Sequence, residues 1–300
     1  MDYISSNTYL AFWIGIIGLC LGSFFNVVIL RSLSEESIVF PPSKCPKCNH
    51  KLYFWHNIPV LSYILLRGKC YFCKEKISIQ YPLIEILTSV LFLLSFYKFG
   101  LSAKFLFAII VISCLIIMSM TDLKEKLVDC NIAIGLGVFG IIYNFFINSN
   151  LKDSLLGLIA GIIVIELISL CGYIFTKKRA MGLADTYVAG ALGACFGLHQ
   201  IGLILSYAII SYLFFLIPMF FYKQYKTNNI LTCIWGILFT LSCLIYTKLA
   251  PEIWMFVILL MFALLLIFEI LKSLSNPQTE KTYLPFVPAF SIAILYILFF

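Results

Sequence analysis

The chain has 300 residues, 62% of them hydrophobic and only 12% charged, with a formal net charge of +7 and a mean hydropathy of +1.03. That balance lies far outside the soluble range, so soluble enzymes and secreted disulfide scaffolds are excluded and a polytopic membrane protein is left.

Apolar runs of about 16 to 22 residues, long enough or nearly so to cross a hydrocarbon layer of roughly 30 Å, recur along almost the whole chain. In order they cover 9–30, 82–97, 104–121, 130–148, 154–176, 182–199, 201–222, 230–247, 252–271 and 283–300. These runs are continuously apolar, where a membrane barrel would alternate in polarity. A helix satisfies its own backbone in lipid, so an all-α polytopic integral membrane protein of about ten transmembrane helices is expected. The first run, Tyr9 to Leu30, is too long for a signal peptide and lacks a basic start and a small-residue cleavage site, so it reads as a retained span.

Lys and Arg set the orientation. With the N-terminus outside, the inner loops hold seventeen of them, against four outside, Lys98, Lys104, Lys152 and Lys248. The positive-inside rule therefore supports both the orientation and the count of spans. The excess charge is an inner-face property attracted to anionic lipid, and it gives no reason to expect nucleic acid as a partner.

After the first span comes the one sizeable polar piece, the inner loop 31–81, too small to build much of a core unaided. It carries Cys45-Pro-Lys-Cys48 and, further on, Cys70-Tyr-Phe-Cys73. Each two-residue spacer lets both thiolates of a pair face one ion, and two pairs complete the four-sulfur tetrahedron of a structural zinc site. A redox pair or incidental cysteines are the competing readings, but a reducing inner side argues against disulfides and a loop this small needs a staple. The remaining cysteines sit in or beside spans and read as packing residues.

Acids at span ends come next, because an ionisable group there is expensive and marks function by default. Asp122 ends the third span, Asp129 opens the fourth, and Asp185 stands near the start of the sixth within Met181-Gly182-Leu183-Ala184-Asp185. All three lie at the inner surface in this topology. Two carboxylates brought together cannot both ionise cheaply, so they share a proton, and such a pair can activate water and protonate a scissile carbonyl. The pattern alone leaves open a second reading, interfacial acids paired with Lys124, Lys126 or Arg179. Glu166, near the middle of the fifth span, needs a partner, a water-filled cavity or a proton. Glu85 sits at the inner end of the second span, positioned to face the cysteine loop. Gly157 with Gly161, and Gly190, Gly193 and Gly197 on one face of the sixth span, read as seams of close helix packing.

The ordered motifs resemble the type IV prepilin peptidases, bifunctional leader peptidases and N-methyltransferases of the GxGD type of membrane aspartic protease. The resemblance is carried by Gly22-Ser23-Phe24-Phe25-Asn26 with Arg31, by Pro42-Ser43-Lys44-Cys45, by Asn57-Ile58-Pro59 with Leu66-Arg67-Gly68-Lys69-Cys70, and by Tyr81-Pro82-Leu83-Ile84-Glu85. It continues in Thr121-Asp122 with Asp129 seven residues on, in the Gly182 to Asp185 motif, and in Leu284-Pro285-Phe286-Val287-Pro288. It implies that Asp122 and Asp185 are the catalytic pair, supported by Asp129, Gly182 and Ala184. The reaction implied is removal of the short basic leader of prepilins or pseudopilins at the inner face of a bacterial cytoplasmic membrane. It also implies N-methylation of the new terminus with S-adenosylmethionine, for which the sequence itself shows no nucleotide-binding turn. The chain would then divide into a first helix (1–30), the zinc loop (31–81), the protease core (82–222), two extra helices with their loops (223–282) and a last helix (283–300).

Departures from the family pattern are specific. Ala184 replaces the second glycine of GxGD, where a methyl group is expected to disturb a backbone that must approach substrate closely or take a positive φ. Thr186-Tyr187 stand where the family usually carries an apolar residue and a lysine, and Val287 replaces a glycine. The rival class is a noncatalytic transporter or assembly scaffold whose cysteine loop docks a partner. A transporter would line a path through the bilayer with acids, and here only Glu166 lies deep.

Overall fold

The computed structural model describes residues 2–34, 37, 42–45, 47–176, 182–226, 234 and 285–300. The spans expected at 230–247, Ile234 apart, and at 252–271 lie outside the described residues, as do Met181 and Leu284. The chain divides into two compact units, one of Met1–Leu167, Met181–Ala208 and Pro285–Phe300 and the other of Ile168–Ala180 and Ile209–Leu284. The aspartates, the cysteine loop and all packing described below belong to the first.

Regular structure among the described residues is helical: α1 (Asp2–Ser34), α2 (Leu61–Leu65), α3 (Gln80–Phe99), α4 (Ala103–Glu125), α5 (Cys130–Phe146), α6 (Leu151–Thr176), α7 (Leu183–Lys226) and α8 (Val287–Phe299), with one 3₁₀ turn at Phe54–Asn57. Among the described residues, five stretches are long and apolar enough to cross a membrane, namely Asn7–Ser32, Gln80–Phe99, Ala103–Glu125, Leu151–Leu170 and Leu183–Tyr212. α5 and α8 are shorter apolar helices. This is the architecture of a polytopic membrane protein, and large apolar side chains such as Phe12, Tyr97, Leu106 and Leu170 stand exposed on its helices as a lipid solvent requires.

Side chains cap the helix ends. Ser102 accepts a hydrogen bond from the Phe105 N–H at the start of α4, and Asp129 accepts one from the Asn131 N–H at the start of α5. α1 and α3 pack along their lengths. At Gly22 the two backbones come so close that a Cβ would sit 2.7 Å from the Glu85 Cα. One turn on, the Asn26 amide donates to the Tyr81 carbonyl at 3.1 Å, fixing where the cysteine loop rejoins the bundle.

The run 183–226 is not one helix. Gly197 has φ 83° and ψ 174°, which breaks it three residues before the boundary the sequence suggests. A broken helix in an apolar setting exposes backbone groups that need partners. Here they are supplied from outside: the Asn144 amide donates to the Ala194 and Cys195 carbonyls at 2.9 and 3.0 Å, the Ser154 hydroxyl donates to the Ala194 carbonyl at 2.7 Å, and Asp153 accepts from the Leu198 N–H at 3.1 Å. Before the break α7 lies backbone to backbone on α6, as the glycine pattern suggests. A Cβ on Gly157 would fall 2.6 Å from the Gly197 carbonyl carbon, and one on Gly161 would fall 2.8 Å from that of Ala189.

Candidate active site

Asp122 lies in the last turn of α4, which ends when Lys126 takes the left-handed conformation and its N–H returns to the Asp122 carbonyl at 2.9 Å. The carboxylate is buried and points at the start of α8. Val287, the first residue of that helix, donates its N–H to Asp122 Oδ2 at 3.0 Å, and the N–H of Phe286 is a second donor. A helix start has orphan N–H groups and the positive end of its dipole to offer, and Pro288 in the first turn removes one further donor. Ser119 and Ser291, hydrogen-bonded at 2.6 Å, clamp the two helices one turn deeper.

Asp185 is the third residue of α7. Its Oδ2 accepts the N–H of Gly182 at 3.1 Å, half of a capping box in which Gly182 is the cap. Asp122 and Asp185 are near enough for their negative charges to repel. Thr186, buried beside Asp185, donates its hydroxyl to Glu166 of α6 at 3.1 Å, so the deep acid has its polar partner on the aspartate helix.

Two of the residues expected to support the site have ordinary helix settings. Ala184 occupies the second position of α7 with no left-handed φ, so positive-φ strain does not arise there; the methyl group is housed by a regular helix. Asp129 caps α5 through the Asn131 N–H at 2.9 Å, which accounts for its carboxylate structurally. Sequence reasoning missed the two main-chain donors at Asp122. The closing proline motif was visible, but only as a motif.

The cysteine loop builds a second centre from two matching turns. In one, the Asn49 N–H donates to the Cys45 carbonyl at 2.8 Å and the Cys45 N–H to the His50 carbonyl at 3.0 Å. In the other, Lys74 and Cys70 repeat those bonds at 3.0 and 2.8 Å, the latter to Glu75. Asn49 and Lys74 both take a positive φ, of 55° and 58°. Short antiparallel bridges, Lys44 with Lys51 and Lys69 with Lys76, close the two turns. The turns bring the sulfurs of Cys45, Cys48, Cys70 and Cys73 within 4.8 Å of one another, with Cys45 and Cys73 at 4.0 Å. A tetrahedral ion with metal–sulfur bonds of about 2.3 Å spaces its sulfurs by about 3.8 Å, so the cluster fits a four-thiolate metal site. Desolvation raises the Cys70 thiol, but the N–H groups of Cys73 and Phe72 and the neighbouring thiols outweigh it and bring it down to about 7. At Cys73 the Glu75 N–H lowers the thiol, but desolvation and the other three sulfurs push it up to about 11. Four sulfurs this close hold their negative charge together only when a cation shares it. His50 and His56 take no place in the cluster; the His50 ring lies 3.7 Å from that of Phe72, and His56 Nδ1 accepts the Tyr53 N–H.

Glu85 ties the cysteine loop to the helices beside it. Buried in α3, it accepts the Val60 N–H at 2.7 Å and the Ser23 hydroxyl, and so ties the cysteine loop to the α1–α3 pair.

Residues 16–99 match the bacterial peptidase A24 N-terminal domain and residues 109–217 the type IV leader peptidase family. Among relatives, the prepilin leader peptidase/N-methyltransferase of Neisseria gonorrhoeae is 35% identical over 213 residues, covering 62% of this chain and 74% of that protein. The chain belongs to the type IV leader peptidase family. The similarly named protein of Legionella pneumophila is 31% identical over 66% of this chain and 77% of its own length. That of Myxococcus xanthus is 34% identical over 61% of this chain, which spans only 55% of that protein. No solved structure matches the chain. The matched stretches contain α1 from residue 16 onward, the cysteine loop, both aspartates and the break at Gly197, but not α8 or residues 223–282.

Proposed function

We propose that this leader peptidase family member is a membrane-embedded aspartic endopeptidase that removes the basic leader of prepilins or pseudopilins, with Asp122 and Asp185 as its catalytic pair. One observation carries the assignment: the two carboxylates lie near enough for their charges to repel, and one of them is gripped by N–H groups at the start of α8. The unequal hydrogen bonding divides the work. Two N–H donors and the helix dipole hold the negative charge on Asp122, while Asp185, with a single N–H donor, carries the shared proton. Asp122 then takes a proton from the attacking water as Asp185 gives its proton to the carbonyl oxygen of the scissile bond. As the tetrahedral adduct collapses and the C–N bond breaks, Asp122 gives its proton to the leaving amine and one hydroxyl of the adduct returns a proton to Asp185, so the pair again holds one.

The four cysteines of the loop are proposed to bind one structural zinc, whose closed thiolate shell leaves no position for substrate. The double name of the relatives supports a second activity, N-methylation of the new amino terminus with S-adenosylmethionine as the methyl donor. The charge distribution supports a bacterial inner-membrane protein with its N-terminus outside and both centres at the cytoplasmic face. Purified protein incubated with a prepilin from the same cell, with and without S-adenosylmethionine, tests the reading by product mass. The leader should be lost in both reactions and a methyl group gained only in the first. An uncut prepilin would refute the proposal.

A further inference from the structure

The cysteine loop carries a surface that neither the peptidase chemistry nor the thiol cluster uses. Tyr53, Phe54, Trp55 and Tyr71 are 49%, 77%, 50% and 55% exposed. They form one connected patch. Tyr53 stacks on Trp55 with ring centroids 5.0 Å apart, Phe54 meets Trp55 edge-on at 5.0 Å, and His56 bridges from Tyr53 to Tyr71 at 5.6 and 5.3 Å. The adjoining α2 buries none of its residues and leaves Ile64 and Leu65 62% and 73% exposed. Water is a poor neighbour for so much contiguous apolar area, which marks a surface that is covered in use.

Charge says by what. From residue 42 to 79 the loop holds six lysines and one arginine against one acid, Glu75. The Lys74 ammonium lies 5.2 Å from the Tyr71 ring centre, so cationic and aromatic groups are interleaved on the patch itself. A basic leader peptide would be repelled by this surface, and an anionic headgroup attracted. The loop is also tethered at both ends to apolar helices long enough to cross the membrane, and Ile79, 70% exposed, directly precedes α3. Trp and Tyr rings flanked by Lys are the side chains that settle at the headgroup layer, apolar body inward and polar tip out.

We propose that the aromatic face of the cysteine loop docks onto the anionic headgroup layer of the protein's own membrane, with Phe54 and Trp55 as its inserted anchors and the lysines above them on the phosphates. The loop is then held at a set height over the bilayer. This inference rests on the membrane-spanning architecture and is independent of the peptidase assignment.

The test uses the full chain with W13F, W235F and W254F, which leaves Trp55 as the single tryptophan. It is reconstituted in vesicles whose acyl chains carry bromine near the headgroup, either phosphatidylglycerol or phosphatidylcholine. In phosphatidylglycerol, Trp55 emission should be blue-shifted and quenched to less than half. In phosphatidylcholine, quenching should be much weaker, and F54S should reduce quenching without lowering zinc content. Emission of a fully hydrated indole in both lipids overturns the proposal. So does equal quenching in both, and so does a shift that appears only when prepilin is added, which would make the substrate the occupant. Should the triple variant fail to fold, hydrogen exchange of the unsubstituted protein in nanodiscs of the two lipids reads the same contact. Slower exchange over 53–58 in phosphatidylglycerol alone is expected, and identical exchange in both overturns it.

Discussion

Gly157→Ala tests whether the packing of α6 against α7 sets the position of Asp185. The added Cβ would fall 2.6 Å from the Gly197 carbonyl carbon and 2.9 Å from its Cα, both main-chain atoms with no freedom to turn aside. Ordinary contact needs well over 3 Å, so the two helices must part by roughly 1 Å, an overpacking strain of about 1–3 kcal/mol. The aspartate helix is held along this seam and by the Thr186–Glu166 bond at its start. A displacement of about 1 Å carried to Asp185 is worth on the order of 100-fold in rate, because a catalytic pair works only within a narrow geometry. Gly135→Ala and Gly202→Ala are the matched controls: nothing lies within 4 Å of either new Cβ. They should leave cleavage unchanged and gain up to about 1 kcal/mol of helix stability. Initial cleavage rates on a prepilin, measured with thermal melting in the same detergent, separate position from stability. A Gly157→Ala protein cleaving at the parent rate would refute the argument that this seam positions the site.

Four further outcomes follow from the geometry. Asp122→Asn and Asp185→Asn should each lower the cleavage rate by about 1,000-fold or more at unchanged membrane insertion, the scale of a lost general acid or base, while Asp129→Asn, which preserves the cap on α5, should cost little in the same assay. Serine at Cys45, Cys48, Cys70 or Cys73 should reduce zinc from about one ion per chain to a minor fraction by metal analysis and open the loop to protease; metal-free protein with a protected loop would contradict the thiolate site. Ala184→Gly should bring no gain in cleavage and should cost up to about 1 kcal/mol in melting experiments, since the position is an ordinary helical one, whereas Ala184→Leu should slow cleavage if the segment borders the substrate. Thr186→Val leaves the Glu166 carboxylate without this hydroxyl and should destabilise the protein by about 1–3 kcal/mol, with Glu166→Gln, which retains an acceptor, close to the parent in both melting and cleavage.

The features legible in the sequence are those whose side chains do the work. The two cysteine pairs announce a cluster because their spacing alone puts two sulfurs on each turn, and the four do converge. Gly157 and Gly161 announce a seam because a missing side chain is a letter in the sequence, and the seam is there. Asp122 and Asp185 stand out as acids in apolar runs. Main-chain contributions have no letter. The N–H groups of Phe286 and Val287 that grip Asp122 belong to a helix start 165 residues further along the chain, and the Pro285 and Pro288 flanking them signal a helix start without saying what it faces. A break near residue 200 is legible as a span boundary, but its exact place at Gly197 is not. The sequence offers glycines at 190, 193 and 197 on one face, and only the polar groups brought in from α5 and α6 single out one of them for a positive φ. Glu166 raised a question that its own helix could not answer, because the partner hydroxyl is on α7.

That break also bears on how the chain tolerates additions. The first part of α7 has its polar ends closed locally: Gly182 at Asp185, and Asn144, Ser154 and Asp153 around residues 194–198. α8 is likewise fastened to α4, through Val287 to Asp122 and Ser291 to Ser119. Among the described residues, the bonds that fasten these two helix starts come from within α7 and from α4, α5 and α6, so a change in the length of chain between 209 and 284 is expected to leave those bonds in place.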